Sequence, residues 1–179
     1  MKVLMFGWEF PPFNSGGLGT ACYGLSKALA NNGAEVTLVL PKSYAGLSSD
    51  FARIIAADLG IIEVDSLLRP YLTSESYSEL KEKAQGLYGS TLFEEVRRYS
   101  EIAWRAAMAE DFDIIHCHDW MTMGAAIKAK MTTGKPMVVH IHATELDRTG
   151  GHPNQYVYEL ERHGMEMADQ VIAVSEFTK

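Results

Sequence analysis

Short apolar runs alternate along the chain with longer segments whose apolar residues recur every three or four positions. The apolar runs have the length and composition of parallel strands covered on both faces, and the longer segments have the periodicity of amphipathic helices. The pattern predicts strands at residues 2–7, 36–40, 113–117, 136–141 and 170–174. It predicts one helix from the glycine-rich stretch after the first strand to residue 31, and others at residues 92–109, 121–131 and 154–168.

The pattern is weak between residues 41 and 89. Residues 53–57 and 60–65 fit short strands and residues 74–85 fit a polar helix, so we expect an excursion from the regular alternation there. Elsewhere a strand, a helix and the next strand form βαβ units, which are right-handed. The sequence therefore predicts one α/β domain, residues 1–179, with a Rossmann-like open, mainly parallel sheet and helices on both faces. Ligands of such sheets bind at the carboxyl ends of the strands.

Composition and charge narrow the function classes. The 179 residues are 47% hydrophobic and 22% charged, as expected for a soluble globular protein with a core. The net charge is −7 and the basic residues are scattered, which argues against a nucleic-acid partner. The apolar runs are too short for membrane insertion, and no signal peptide is visible. Cys22 and Cys117 are predicted to be buried packing residues in a reducing, cytoplasmic compartment.

A glycine-rich stretch, residues 8–20, joins the first predicted strand to the first predicted helix. Gly16, Gly17 and Gly19 leave bare backbone where the helix begins, and open N–H groups at a helix N-terminus bind anions such as phosphate. The alternative is that the glycines only permit tight packing of helix on sheet, and their spacing leaves both interpretations open. The G-x-G-x-x-G fingerprint and a ribose-binding acid are missing, so a dinucleotide oxidoreductase is disfavoured.

Polar residues also follow two later predicted strands. Asp119 either hydrogen-bonds a ligand hydroxyl or caps the helix that follows it. Glu145 and Arg148 lie three positions apart in a predicted loop, where they either contribute to a site or pair weakly at the surface. The fold is expected to bring these residues and the glycine-rich stretch to one edge of the sheet.

Histidines occur in pairs two positions apart, His116 with His118 and His140 with His142. Residues two apart on a strand face the same side, so a zinc site is one interpretation. It is disfavoured because a metallohydrolase usually has further ligands, and Asp119 follows His118 without a gap. We expect His116 and His140 to be hydrogen-bonded packing residues within the strands, and His118 and His142 to reach the rim of the sheet.

Four motifs in this order resemble those of one protein family. They are Trp-Glu-Phe-Pro-Pro followed by Gly-Gly-Leu-Gly within residues 8–19, His-Asp-Trp at 118–120, Val-His-Ile-His-Ala-Thr-Glu at 139–145 and Ala-Asp-Gln-Val-Ile-Ala-Val-Ser at 168–175. The chain resembles the N-terminal half of retaining GT-B glycosyltransferases, especially glycogen and starch synthases and group 1 transferases. The resemblance implies a nucleotide-sugar donor, ADP- or UDP-glucose, and transfer of glucose with retention to an α-glucan or other sugar acceptor.

The resemblance also implies roles for single residues. Gly16 and Gly17 would bind the donor diphosphate through backbone N–H groups, and stabilising the departing diphosphate in this way needs no metal or cofactor. His142 and Asp119 would be the catalytic residues: His142 would contact the transferred sugar and Asp119 would hydrogen-bond a sugar hydroxyl. Three weaker assignments, as residues lining the cleft, are Glu9, Glu145 and Arg148.

The chain departs from the family pattern at two places, which bear on the identity of the donor and on whether the chain alone is active. Bacterial ADP-glucose-dependent synthases usually have Lys-Thr before the Gly-Gly pair, whereas this chain has Asn14 and Ser15. The donor-binding C-terminal domain of the family is not within these 179 residues, so we expect the acceptor-side domain alone to be inactive. The alternatives are a non-catalytic carbohydrate- or nucleotide-binding module and a metal-dependent hydrolase at the histidine-rich strand ends.

Overall fold

A computed structural model describes residues 1–14, 16–42, 45–57 and 92–179, except the side chain of residue 106. The strands are β1 (Lys2–Phe6), β2 (Glu35–Leu40), β3 (Ala52–Ala56), β4 (Ile114–His118), β5 (Met137–Ile141) and β6 (Gln170–Ala173). They form one sheet in the order β3-β2-β1-β4-β5-β6, and every neighbouring pair is parallel. The predicted Rossmann-like α/β fold is thus confirmed.

The helices occur where the apolar periodicity predicts them, with one addition. They are α1 (Gly17–Asn31), α2 (Leu92–Ala107), α3 (Trp120–Thr133), α4 (Glu145–Thr149) and α5 (Gln155–Met167). Gly134 follows the last residue of α3, and its left-handed backbone lets its N–H donate to the carbonyl of Lys130. Among the described residues, none of the helices combines the length and the apolar character of a membrane span.

Two features differ from the sequence-based expectation. Residues 145–149 are a helical turn rather than loop, because Thr144 and Asp147 form a capping box in which each side chain bonds the other's backbone N–H. β4 begins one residue later than predicted and includes His118. The predicted strand at 60–65 and polar helix at 74–85 lie outside the described residues.

Apolar side chains alternate between the two faces of the sheet, as expected of strands covered on both sides. One face carries Leu4, Ile115 and Val139 against α2, α3 and α5, and the other carries Met5 and Leu38 against α1. The two cysteines are free and buried, as predicted. Helices therefore cover both faces while the carboxyl ends of β1, β4 and β5 remain together at one edge.

Tyr99 of α2 ties two neighbouring strands together beneath this edge. Its side chain is fully buried, and its hydroxyl lies 3.1 Å from the carbonyl oxygen of Gly7 and 2.9 Å from that of Val39. The N–H of Gly7 donates to the same Val39 carbonyl, so the ends of β1 and β2 share one hydrogen-bonded junction. A single phenolic proton serves both carbonyls. The hydrogen bonds of Tyr99 thus fix the position of the backbone from which the glycine-rich stretch begins.

Replacing Tyr99→Phe should lower the free energy of unfolding by about 1–2 kcal/mol, because two buried carbonyls lose their shared donor while the ring packing stays. Urea denaturation of the chain measures this loss. The matched control is Tyr156→Phe, which removes the same atom from a side chain that is 48% exposed. Equal stabilities of the two variants would show that the junction contributes nothing.

Candidate functional site

The first half of the glycine-rich stretch folds back into the protein instead of projecting from it. Trp8 and Phe10 are buried, and the Trp8 ring stands edge-on to Tyr99 with centroids 5.4 Å apart. Glu9 between them is also buried, with 7% of its surface exposed. The segment leaving β1 is therefore held by aromatic packing on both sides of a buried carboxylate.

The residues before α1 lie very close to the first turn of this helix. A Cβ atom added at Gly19 would lie 2.5 Å from the Cβ of Asn14 and 3.1 Å from the Cβ of Glu9. The Asn14 amide donates to the carbonyl of Gly16 and to the hydroxyl of Thr20, at 3.2 and 3.1 Å. Gly19 is thus needed for packing, as one of the two interpretations of the glycines proposes.

The N-terminus of α1 lies at the carboxyl end of β1 and has the features of an anion site. Gly16 is the N-cap, has extended backbone (φ −160°) and carries no side chain that caps the helix. The first turn contains no acidic residue. Backbone N–H groups and the helix dipole therefore favour an anion beside Gly16 and Gly17. Ser15 lies outside the described residues.

Asp119 follows β4 directly and joins this strand to the end of β5. Its Oδ1 accepts a hydrogen bond of 2.7 Å from the backbone N–H of His142, and its own N–H donates to the carbonyl of His140 at 3.0 Å. The side chain makes no capping hydrogen bond to α3. Asp119 therefore occupies the N-cap position of α3, as one interpretation of the sequence has it, but its side chain does not cap the helix.

The backbone of Asp119 is strained. Among the described residues it is the one non-glycine residue with positive φ, at φ 56° and ψ 175°. This region is nearly restricted to glycine, and a side chain there costs about 1–3 kcal/mol. Such strain persists only where the surroundings enforce it, and it is concentrated at functional sites.

The Asp119 carboxyl group is 1% exposed, and its second oxygen, Oδ2, is buried with no hydrogen-bond partner among the described residues. Burial raises the pKa of this group to about 7, although the hydrogen bond from His142 acts in the opposite direction. A buried acceptor without a partner costs free energy that a ligand hydroxyl would restore.

Thr122, in the first turn of α3, supports this arrangement and was missed by sequence reasoning. Its hydroxyl accepts from the backbone N–H of His118 at 2.8 Å and donates to the His118 carbonyl at 2.7 Å. A threonine three positions after an Asp that directly follows a strand is a local signal for such a turn. Thr122 thus holds the strained backbone on its helix side.

His142 lies just after β5, half-buried, with its ring beside that of His118. The Nε2 atom of His142 is 3.0 Å from Nδ1 of His118, so one of these nitrogens donates to the other. Burial, with a smaller contribution from His140, lowers the pKa of His142 to about 4. The ring is therefore a neutral hydrogen-bonding group at neutral pH.

Three expectations about the other histidines are wrong. His118 does not reach the rim: it is fully buried as the last residue of β4. His116 and His140 are not fully hydrogen-bonded packing residues, because Nε2 of His116 and Nδ1 of His140 are buried without a hydrogen-bond partner among the described residues. The strand positions of His116 and His140 are as predicted.

Glu145 and Arg148 meet a third charged residue, Glu161 of α5, in a buried ion cluster. The Arg148 Nη2 atom lies 2.7 Å from Oε1 of Glu161 and 3.3 Å from Oε2 of Glu145, and all three residues are buried or nearly so. The Glu161 carboxylate also accepts from the backbone N–H of Glu145. The weak surface pair considered from the sequence is therefore wrong: the pair exists but is buried.

The ion cluster also fixes the backbone just after His142. Arg148 donates from Nη1 to the carbonyl of Ala143 at 2.6 Å, and Glu145 accepts from the backbone N–H of Asn154 at 3.1 Å. Sequence reasoning missed Glu161, although it occupies the buried stripe of α5, four positions after Val157. A charged residue in the apolar stripe of a helix is the signal that identifies it.

The fold brings together three of the polar groups singled out in the sequence. The N-terminus of α1, the Asp119 carboxyl group and the His142 ring follow β1, β4 and β5, which are adjacent in the sheet. The side chains of Glu145 and Arg148 lie behind His142 in the ion cluster. The edge thus offers hydrogen-bond acceptors and a neutral imidazole beside a helix N-terminus.

Comparison with known proteins gives a consistent result. The sequence profile described as the starch synthase catalytic domain matches residues 2–179. An uncharacterized glycosyltransferase of Methanocaldococcus jannaschii is 30% identical over 189 residues, and a glycogen synthase of Mycobacterium tuberculosis is 31% identical over 163 residues. These alignments cover 100% and 84% of this chain but 41% and 36% of the relatives, so the chain spans about two-fifths of their length.

Solved structures share the fold at lower sequence identity. A sucrose-phosphate synthase from Thermosynechococcus elongatus superposes with a TM-score of 0.65 at 17% identity, covering 95% of this chain and 41% of that one. The lipopolysaccharide outer core galactosyltransferase WaaB gives a TM-score of 0.53 at 14% identity, over 98% of this chain and 40% of that one. Both similarities bear on the fold alone.

A pair of glycine substitutions in α1 tests the packing of the glycine-rich stretch. Gly19→Ala should lower the free energy of unfolding by about 1–3 kcal/mol, since its Cβ would overlap the Cβ of Asn14. Gly24→Ala, where a Cβ meets nothing within 4 Å, should raise it by about 0.5–1 kcal/mol. Chemical denaturation compares the two. A stabilising Gly19→Ala would contradict the close approach.

Proposed function

Because the chain belongs to the starch synthase catalytic domain family, we propose that it forms the acceptor-side half of a glycosyltransferase of the glycogen and starch synthase type. The proposed reaction transfers glucose from ADP-glucose or UDP-glucose to an α-glucan or another sugar acceptor, with retention of configuration. The bond between the sugar's anomeric carbon and the diphosphate breaks, a bond from that carbon to an acceptor hydroxyl oxygen forms, and the proton of that hydroxyl leaves with the diphosphate.

The observation that carries this proposal is the Asp119 carboxyl group. It is held in a strained backbone conformation at the edge of the sheet where the proposed ligand binds, with Oδ1 bonded to the His142 N–H and Oδ2 without a partner among the residues that the structure describes. Structural needs alone do not explain such an arrangement, because a cap would bond its own helix. A sugar hydroxyl that donates to Oδ2 would complete it.

His142 is proposed to contact the transferred sugar near the reaction centre. Its backbone is fixed by Asp119, and its ring is held against His118. Because the ring is neutral, it would act by hydrogen bonding and by shape rather than as a charge. A positioned donor of this kind is effective in catalysis because it needs no reorganisation when the transition state forms.

The N-terminus of α1 is proposed to bind the donor diphosphate at Gly16 and Gly17. As the sugar departs, negative charge grows on the diphosphate, and fixed backbone N–H dipoles stabilise that charge. Asn14 stands where bacterial ADP-glucose-dependent synthases usually have a lysine, so without that cation the backbone N–H groups would provide a larger share of the diphosphate stabilisation. This difference leaves either ADP or UDP as the donor nucleotide.

The three residues assigned to the cleft are proposed to act beneath it. Glu9 is buried beside the first turn of α1, and Glu145 and Arg148 lie in the ion cluster behind His142. Their proposed role is to hold the backbone that lines the cleft. The Arg, Lys and Glu residues that the family uses for the diphosphate and sugar would come from a second α/β domain, and the chain alone is proposed to be inactive.

The His142→Ala variant tests the catalytic assignment in an enzyme that joins this chain to its donor-binding domain. Turnover of ADP-glucose or UDP-glucose with a maltooligosaccharide should fall by a factor of about 100 or more, as when a positioned transition-state donor is lost. The matched control is His152→Ala, which removes an exposed imidazole. Thermal unfolding, monitored by circular dichroism, checks that both variants fold.

Wild-type turnover in His142→Ala would remove His142 from the mechanism. The isolated 179-residue chain serves as a second arm of the same assay and should release no nucleoside diphosphate. Measurable glucose transfer by the chain alone would contradict the proposal that catalysis requires both domains.

A further inference from the structure

Four histidines form a patch on the α1 side of the sheet, at the carboxyl ends of β4 and β5. His116 and His118 lie two positions apart on β4, and His118 pairs in register with His140 on β5. Residues in these positions face the same side. The ring centroids of His116, His118 and His140 lie 4.7–5.5 Å from one another. Each of these three rings offers a nitrogen within 4.8 Å of the others.

The same three imidazoles each have a buried nitrogen without a hydrogen-bond partner among the described residues. These atoms are Nε2 of His116, Nε2 of His118 and Nδ1 of His140. A single buried polar atom without a hydrogen-bond partner already requires an explanation. Three such atoms in adjacent rings suggest one shared explanation. A ligand that binds all three nitrogens at once satisfies the whole group.

The protonation state of the cluster suits a metal cation. Burial lowers the pKa of His116 to about 4 and lowers the pKa values of His118 and His140. The rings are therefore neutral at neutral pH, and neutral imidazole is the form that binds metals. The group contains no carboxylate, so it suits Zn²⁺, Ni²⁺ or Cu²⁺ rather than Mg²⁺ or Ca²⁺.

We propose that His116, His118 and His140 form a binding site for a divalent transition metal, with Zn²⁺ the first candidate. The unpartnered nitrogens define the ligand atoms. The rings are nearly parallel, with interplanar angles of 14–26°, so binding requires them to turn toward a common point. Nitrogen atoms around a tetrahedral zinc lie about 3.3 Å apart, closer than the 4.8 Å within which the three rings offer their ligand atoms. His140 is half-buried, whereas His116 and His118 are buried.

The site has a consequence for His142 that goes beyond the proposed transfer reaction and does not depend on it. A metal on Nε2 of His118 leaves the ring proton on Nδ1, which lies 3.0 Å from Nε2 of His142. His118 then donates to His142, and His142 carries its own proton on Nδ1. The metal thereby fixes the tautomer and the orientation of His142, as outer partners of metal ligands do. It takes no part in bond breaking.

Zinc titration of the metal-free 179-residue chain in competition with a chromophoric chelator tests the proposal. We expect one equivalent to bind and to raise the midpoint of thermal unfolding. The ligand variants His116→Gln and His140→Gln should weaken binding by at least about 100-fold, since loss of an outer partner alone costs about 10- to 100-fold. The control His163→Ala, an exposed histidine on α5, should bind like the wild type.

A spectroscopic measurement on the unmodified chain avoids dependence on variants that fail to fold. Zinc should shift the imidazole ¹⁵N resonances of His116, His118 and His140 and leave those of His152 and His163 unchanged. Binding of no metal, binding that the His163→Ala variant loses, or shifts confined to the exposed histidines would each overturn the proposal. An unchanged affinity in folded His116→Gln and His140→Gln would overturn it as well.

Discussion

The hydrogen bond from the backbone N–H of His142 to the carboxylate of Asp119 is the interaction on which the site depends. It joins the carboxyl ends of two parallel strands at 2.7 Å and holds Asp119 in a backbone conformation that a side chain rarely adopts. The main-chain bonds of Asp119 to His140 and Thr122 enforce the same conformation. As a result, one carboxylate oxygen is bonded to the protein backbone, and the other is buried with no hydrogen-bond partner in the part of the chain that the structure describes.

The surrounding core makes this arrangement rigid. The ion cluster of Glu145, Arg148 and Glu161 holds the segment beyond His142 from the side of α5. Removing one partner of a buried ion pair typically lowers the free energy of unfolding by about 3–5 kcal/mol. Loss of any member of the cluster is therefore expected to destabilise this segment. Tyr99 fixes the start of the glycine-rich stretch in the same way. Each polar group at the edge is thus positioned by a buried contact beneath it.

The sequence predicts the fold well and the site only in part. Strands and helices follow from apolar periodicity, and strand order brings Asp119 and His142 to one edge. The helix α4 was missed because its capping box uses Asp147 in place of the usual Glu or Gln. Side-chain partners could not be predicted, because they depend on contacts between residues distant in sequence. Glu161, for example, pairs with Arg148 thirteen positions away. The His118 ring is buried by elements that local spacing does not specify.

The most direct test of the central claim is a nuclear magnetic resonance titration of the ¹⁵N-labelled chain with assigned backbone amides. Maltooligosaccharides and, separately, ADP-glucose and UDP-glucose serve as ligands. We expect the glucan to shift the amides of Asp119 and His142, and a nucleotide-sugar to shift those of Gly16 and Gly17, while the amide of Gly24 on the exposed face of α1 stays unchanged. Shifts confined to the opposite edge of the sheet, or none with any of the three ligands, would contradict it.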